Sequence, residues 1–102
     1  MADFVIVAQV KDFPSTNLMV VKVRDQDVLL AKMGSDVYAL GDTCPHRGCS
    51  LAEGAIEDES VVCGCHGSAF NVKTGNVEAA PAVEGVPIYQ VRVEGDDVLV
   101  AL

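Results

Sequence analysis

All four cysteines and both histidines of this 102-residue chain lie between Thr43 and Phe70, and this crowding constrains the fold more than any other feature. They form two short clusters, Cys44-Pro45-His46-Arg47-Gly48-Cys49 and Cys63-Gly64-Cys65-His66-Gly67-Ser68. Thiolate and imidazole are the side chains that bind iron, zinc and copper in proteins. The sequence therefore predicts a site for such a metal, built from two loops that the fold must bring together.

The spacing within the clusters narrows the kind of site. Each cluster offers one Cys and one His, as Cys44-x-His46 and Cys63-x-x-His66, with the 16 residues 47 to 62 between these pairs. This layout resembles the Rieske family, in which two thiolates hold one iron of a [2Fe–2S] cluster and two imidazoles hold the other. The resemblance implies one such cluster, with Cys44 and Cys63 on the buried iron and His46 and His66 on the outer one.

The same resemblance implies supporting roles for residues around the ligands. Gly48 and Gly67 would let the backbone pass close to the sulfides and leave N–H groups free to donate to them. Ser68 matches a family position whose hydroxyl donates to a bridging sulfide. The segment around Pro81 is similar to the family's third loop, which shields the cluster on one side.

Two further cysteines, Cys49 and Cys65, sit beside the ligand positions. Their placement resembles that in the Rieske subunits of cytochrome bc complexes, where the corresponding pair forms a disulfide between the loops. Many Rieske-type ferredoxins of oxygenase systems lack this pair. Phe70 departs from the bc pattern, which has a tyrosine whose hydroxyl donates to a ligand sulfur. The resemblance therefore implies a Cys49–Cys65 disulfide and a potential between those of the two groups.

The rest of the sequence predicts an all-β fold. Short runs rich in β-branched residues alternate with Gly/Asp turns, and no helical period extends over ten residues. The predicted strands are Phe4–Val10, Leu18–Val23, Val28–Met33, Val37–Leu40, Ser60–Val62, Ile88–Glu94 and Val98–Leu102, with hairpin turns at Arg24–Asp27 and Lys73–Asn76. This pattern favours an antiparallel β-sandwich or small barrel. We expect one Rieske-like domain, 1–102, in which residues 42 to about 81 form an inserted cluster-binding part.

Composition and charge exclude several classes of function. Half of the residues are apolar, which is incompatible with a disordered chain. Seven basic and fifteen acidic residues give a net charge of −8, which disfavours nucleic acid and anionic membranes as partners. No apolar run reaches the roughly 18 residues of a membrane span. We expect a cytoplasmic protein without membrane insertion, whose acidity serves either solubility or steering toward a basic patch on a partner.

The resemblance to the Rieske family implies a one-electron carrier that is not an enzyme by itself. The leading hypothesis is the ferredoxin component of a multicomponent oxygenase, with a flavin reductase and a terminal oxygenase as partners. The alternative is a higher-potential Rieske carrier in a respiratory or other redox chain, which the extra cysteine pair favours. A structural zinc-binding module is a third hypothesis, although zinc ribbons favour Cys-x-x-Cys knuckles and neither cluster contains one.

Overall fold

The computed structural model describes residues 4–34, 36–43, 50–64, 67–79 and 85–101. Within these ranges the chain forms ten β-strands and two single-turn 3₁₀ helices, at Val10–Asp12 and Leu51–Glu53. The strands are β1 Phe4–Gln9, β2 Leu18–Val23, β3 Gln26–Met33, β4 Asp36–Gly41, β5 Ala55–Glu57, β6 Ser60–Val62, β7 Ala69–Asn71, β8 Val77–Ala79, β9 Ile88–Glu94 and β10 Asp97–Ala101. The described ranges contain no helix long and apolar enough to cross a membrane.

Six strands form one antiparallel sheet in the order β1-β10-β9-β4-β3-β2. Its two edge strands, β1 and β2, contact each other, so that the sheet curls into a nearly closed barrel. Closure of this kind removes the exposed edges that would otherwise pair with other chains. The predicted all-β fold, an antiparallel sandwich or small barrel, is confirmed, and the sheet takes the barrel form.

The remaining four strands form a second antiparallel sheet in the order β5-β6-β7-β8. All four belong to the segment between β4 and β9, which is the segment that we expected to be inserted in the barrel. Only β6 was among the predicted strands. All four strands have three residues, which is too short for the period-two alternation that identifies a strand in a sequence. Strand β6 has two adjacent valines, whereas each of the other three has at most one β-branched residue.

Strand β3 lies between two hydrophobic cores, and both of its faces are buried. Val28 and Leu30 point into the barrel and pack with Val98 and Val100 of β10. Leu29 and Ala31, which alternate with them along the strand, point the other way into a second core under the four-stranded sheet. That second core consists of Leu18, Leu29, Ala31, Leu40, Leu51, Val61, Cys63, Phe70, Val72 and Val86.

The hairpin between β2 and β3 differs from the prediction. Its turn has two residues, Arg24 and Asp25, both with positive φ (50° and 67°), rather than the four predicted. Two left-handed residues match the twist of the flanking strands, so pairing extends to Val23↔Gln26. Strand β3 therefore begins at Gln26 instead of Val28.

Candidate metal centre

The second cysteine cluster occupies the loop of the β6–β7 hairpin. Beyond the last strand pair, Val62↔Ala69, the Cys63 N–H donates to the Ser68 carbonyl at 2.7 Å. The Gly67 N–H donates back to the Cys63 carbonyl at 3.0 Å. Gly67 has φ +78°, a left-handed conformation that glycine adopts without the steric cost of a side chain. The loop is therefore closed at its base and starts at a predicted ligand.

Cys63 fits the role of a ligand to a buried iron. Its side chain is 2% exposed, belongs to no disulfide, and lies in the second core with Leu51, Val61 and Phe70. A thiolate in such surroundings is protected from solvent and from exchange with other thiols. The donor and its position thus suit the inner iron of the predicted cluster.

The first cysteine cluster is closed at its base by a different set of contacts. Thr43 and Ser50, on either side of residues 44–49, form an isolated antiparallel bridge. Just outside it, the Leu51 N–H donates to the Asp42 carbonyl at 2.7 Å. The Asp42 side chain, 4% exposed, accepts from Ser50 Oγ at 2.6 Å and from the Ala52 N–H at 3.0 Å. A buried carboxylate therefore fastens the two ends of this loop to each other.

Asp42 was not among the residues assigned from the sequence. The available signal was an acidic residue two positions after the apolar run Val37–Leu40 and two positions before Cys44. An aspartate in that place is equally typical of an ordinary turn. Its partners at positions 50 and 52 become apparent only once the loop is closed.

The bases of the two loops lie against each other without intervening side chains. A Cβ added to Gly54 would overlap the Val62 carbonyl oxygen and lie 3.2 Å from the Gly64 nitrogen. A Cβ added to Gly64 would lie 2.9 Å from the Glu53 carbonyl oxygen. The chain leaving the first loop and the chain entering the second are therefore in backbone contact, as ligation of one cluster by both loops requires.

Of the residues assigned from the sequence, the described part of the chain includes Cys63, Gly67 and Ser68. Ser68 is fully buried next to the closed base of the second loop, in keeping with a role close to the cluster. The remaining assigned residues, Cys44, His46, Gly48, Cys49, Cys65, His66 and Pro81, lie outside the described residues. The ligand set and the Cys49–Cys65 disulfide therefore stay predictions.

A charged pair lies at the other end of the four-stranded sheet. Lys73, after β7, donates a hydrogen bond to Glu59 in the β5–β6 turn, and both side chains are at least half exposed. The hydrogen bond and the negative charge of Glu59 raise the pKa of Lys73 above its ordinary 10.5. The Val72 N–H donates to the Glu59 carbonyl at 3.0 Å, so side-chain and backbone contacts hold the two turns together.

Comparison with known proteins identifies the family of the chain. Residues 3–90 match the Rieske [2Fe-2S] domain family. The ferredoxin component of biphenyl 2,3-dioxygenase from Rhodococcus jostii (strain RHA1) is 40% identical over 77 residues, which cover 76% of this chain and 72% of the relative. The matches confirm the predicted family, the [2Fe–2S] cofactor and the role of electron carrier.

Two solved structures resemble the whole fold. The ferredoxin of carbazole 1,9a-dioxygenase from Nocardioides aromaticivorans IC177 has a TM-score of 0.90 and 31% identity, with 96% of each chain covered. A complex of reduced oxygenase and oxidized ferredoxin in carbazole 1,9a-dioxygenase gives a TM-score of 0.86 and 30% identity, covering 96% of this chain and 92% of that one. The chain belongs to the Rieske [2Fe–2S] family, and it is an electron carrier of the ferredoxin type.

Proposed function

We propose that this chain is the ferredoxin component of a multicomponent oxygenase, taking electrons singly from a flavin reductase and delivering them to a terminal oxygenase. The observation that carries the proposal is the similarity, over 96% of the chain, to a ferredoxin in complex with an oxygenase. The curated relative is likewise the ferredoxin component of a dioxygenase. Action in the cytoplasm belongs to the same proposal, because the reductants that feed a flavin reductase are found there.

The proposed ligands are Cys44 and Cys63 for the inner iron and His46 and His66 for the outer iron. Support comes from the buried free thiol of Cys63 and from the contact between the bases of the two loops. When bound, the cluster supplies a one-electron redox couple. The chain's own contribution is to exclude water from the thiolate side through the second core, and to hold both loops in register.

The exposed charged side chains of the cluster-binding segment are mostly acidic. Between residues 50 and 79 the sequence has five acidic residues and a single basic one, Lys73, which is paired with Glu59. The acidic side chains, all exposed, are those of Glu53, Glu57, Asp58, Glu59 and Glu78. A partner with a basic docking face would be attracted to this surface, and salt would weaken the attraction.

The ligand proposal is tested on the purified protein by visible absorption and EPR spectroscopy. Wild type should be coloured and give a Rieske signal, whereas a structural zinc site would be colourless. His46→Cys and His66→Cys should each change or destroy that signal, because all-cysteine ligation belongs to a different cluster type. An unaltered EPR signal and potential in either variant would remove that histidine from the ligand set.

The proposed role is tested by reconstitution with a flavin reductase and a terminal oxygenase of the source organism. Product formation should require the chain, and its rate should fall as ionic strength rises. The alternative, a respiratory carrier, is favoured by the cysteine pair Cys49 and Cys65. It predicts a potential near the upper end of the Rieske range of roughly −150 to +300 mV. A chain that is reduced normally but supports no turnover would contradict the oxygenase role.

A further inference from the structure

The Asp42 side chain is one of two buried polar side chains among the described residues, and the electron-carrier role does not by itself account for it. Both carboxyl oxygens accept hydrogen bonds: Oδ2 from Ser50 Oγ at 2.6 Å and Oδ1 from the Ala52 N–H at 3.0 Å. Two donors on one side chain suit a carboxylate, which can accept at both oxygens. Asp42 therefore brings an acidic side chain inside the protein.

The contacts of Asp42 hold the first loop by both ends. Its backbone carbonyl accepts from the Leu51 N–H at 2.7 Å, while its side chain holds the residues on either side of Leu51. Leu51 is fully buried in the same core as Cys63. The position of the first loop is thereby linked, through Leu51, to that of a ligand on the second loop.

Asp42 is also close along the chain to a proposed ligand. Asp42 and Cys44 are two residues apart, so their Cα atoms are separated by at most about 7 Å. Water and salt screen a buried charge much less than an exposed one. A negative charge near a redox centre stabilises the oxidised state, which carries more positive charge, and so lowers the potential.

We propose that Asp42 is a positioning residue that keeps the first loop in its ligating conformation and lowers the reduction potential of the cluster through its buried charge. This inference rests on the proposed ligand set, because it assigns Asp42 to a loop that carries Cys44 and His46. The two effects are separable, since one depends on hydrogen bonds and the other on charge.

The test compares three variants of the cluster-loaded protein with wild type. Asp42→Asn keeps an acceptor for Ala52 and can donate to Ser50 Oγ, but it removes the charge. Ser50→Ala keeps the charge and removes one donor. Asp42→Ala removes both the contacts and the charge. The reduction potential is measured by protein-film voltammetry, and the rate of cluster loss by the decay of visible absorption in the presence of a chelator.

Asp42→Asn should raise the potential while leaving the rate of cluster loss within a few-fold of wild type. Ser50→Ala should not raise the potential, but should lose its cluster several-fold faster. Asp42→Ala should show both effects, with loss faster by about tenfold or more, as expected when hydrogen bonds to a buried charge are removed. If Asp42→Ala fails to fold, the other two variants still separate charge from contacts.

Asp27→Asn is the matched control, because it removes the same charge from a side chain that is 53% exposed on the neighbouring strand. Its potential should stay close to that of wild type. An Asp42→Asn potential that moves no further than that of Asp27→Asn would overturn the inference while leaving the proposed function intact. A wild-type protein without a Rieske signal would overturn the proposed ligand set, and with it the role of Asp42.

Discussion

Replacing Gly54 with alanine should separate the two cluster loops. The added methyl group would overlap the Val62 carbonyl oxygen and lie 2.9 Å from its carbonyl carbon, whereas carbon atoms in good contact are about 3.5–4.0 Å apart. The overlap with the oxygen sets the movement that is needed: the two backbones would have to part by more than about 1 Å. No change of rotamer can relieve a contact between main chains, and the adjacent pair Ala55↔Val62 would be strained.

Overpacking of this kind destabilises a fold by about 1–3 kcal/mol. Because the overlap is between two main chains, we expect Gly54→Ala to lower the free energy of unfolding by about 3 kcal/mol. In a domain of this size each 1 kcal/mol lowers the melting temperature by about 4–8 °C, so a loss of about 12–24 °C is expected. The φ of Gly54 is −93°, outside the left-handed region, so the expected cost is that of the contact between the main chains.

The assay is thermal unfolding of the cluster-loaded protein, followed by circular dichroism and by visible absorption. Gly34→Ala is the control: its φ is +63° and no atom lies within 4 Å of the added carbon. It should cost only about 1–2 kcal/mol, through the left-handed conformation, and keep the cluster intact. If Gly54→Ala melts within about 4 °C of wild type with its cluster retained, the backbone contact does not hold the loops together.

Phe70→Tyr should raise the reduction potential, because a hydroxyl that donates to a ligand sulfur stabilises the reduced cluster; an unchanged potential in voltammetry would mean that the hydroxyl does not reach the sulfur. Cys49 and Cys65 should resist alkylation until a reductant is added, and mass spectrometry showing both thiols modified beside an intact cluster would contradict the disulfide. Because Glu59 raises the pKa of Lys73, their pairing should stabilise the fold below about pH 10.5 and be lost as pH rises through the higher folded-state pKa. Unfolding of Lys73→Gln should therefore differ from wild type by an amount that is constant between pH 7 and 9, and a difference that fades within that window would refute this assignment.

Strands were predictable from the sequence where alternation was long enough to be distinctive. Leu18–Val23 and Ile88–Glu94 have the predicted bounds, since a run of six or seven residues rich in β-branched side chains favours a strand. Strands β5, β7 and β8 depend on their partners instead, as in the pair Val61↔Phe70. The turn at Arg24-Asp25 lacks the glycine that usually marks a two-residue hairpin, and the pairing of β2 with β3 imposes its conformation.

The candidate site was predictable in its chemistry but not in its support. Cysteine and histidine identify a metal site by type and spacing alone, and the confirmed family bears out the cofactor. The residue types of Asp42 and Leu51 do not identify them as parts of a metal site. Their roles arise from contacts with Ser50 and Cys63, which depend on how the loops close and on which residues share a core. Those contacts are properties of the folded chain.

The two faces of β3 have a consequence for the order in which the protein is made. Within the described residues, the core inside the barrel draws on the chain up to Ala39 and again from Tyr89 onward, and Cys63 belongs to the other core. Strands β9 and β10 lie between β1 and β4 in the sheet, yet the ribosome makes them after both cysteine clusters. The barrel therefore cannot close until the chain beyond both clusters has been made. Because Cys63 lies in the core outside the barrel, ligation of iron by this residue does not require the barrel to open.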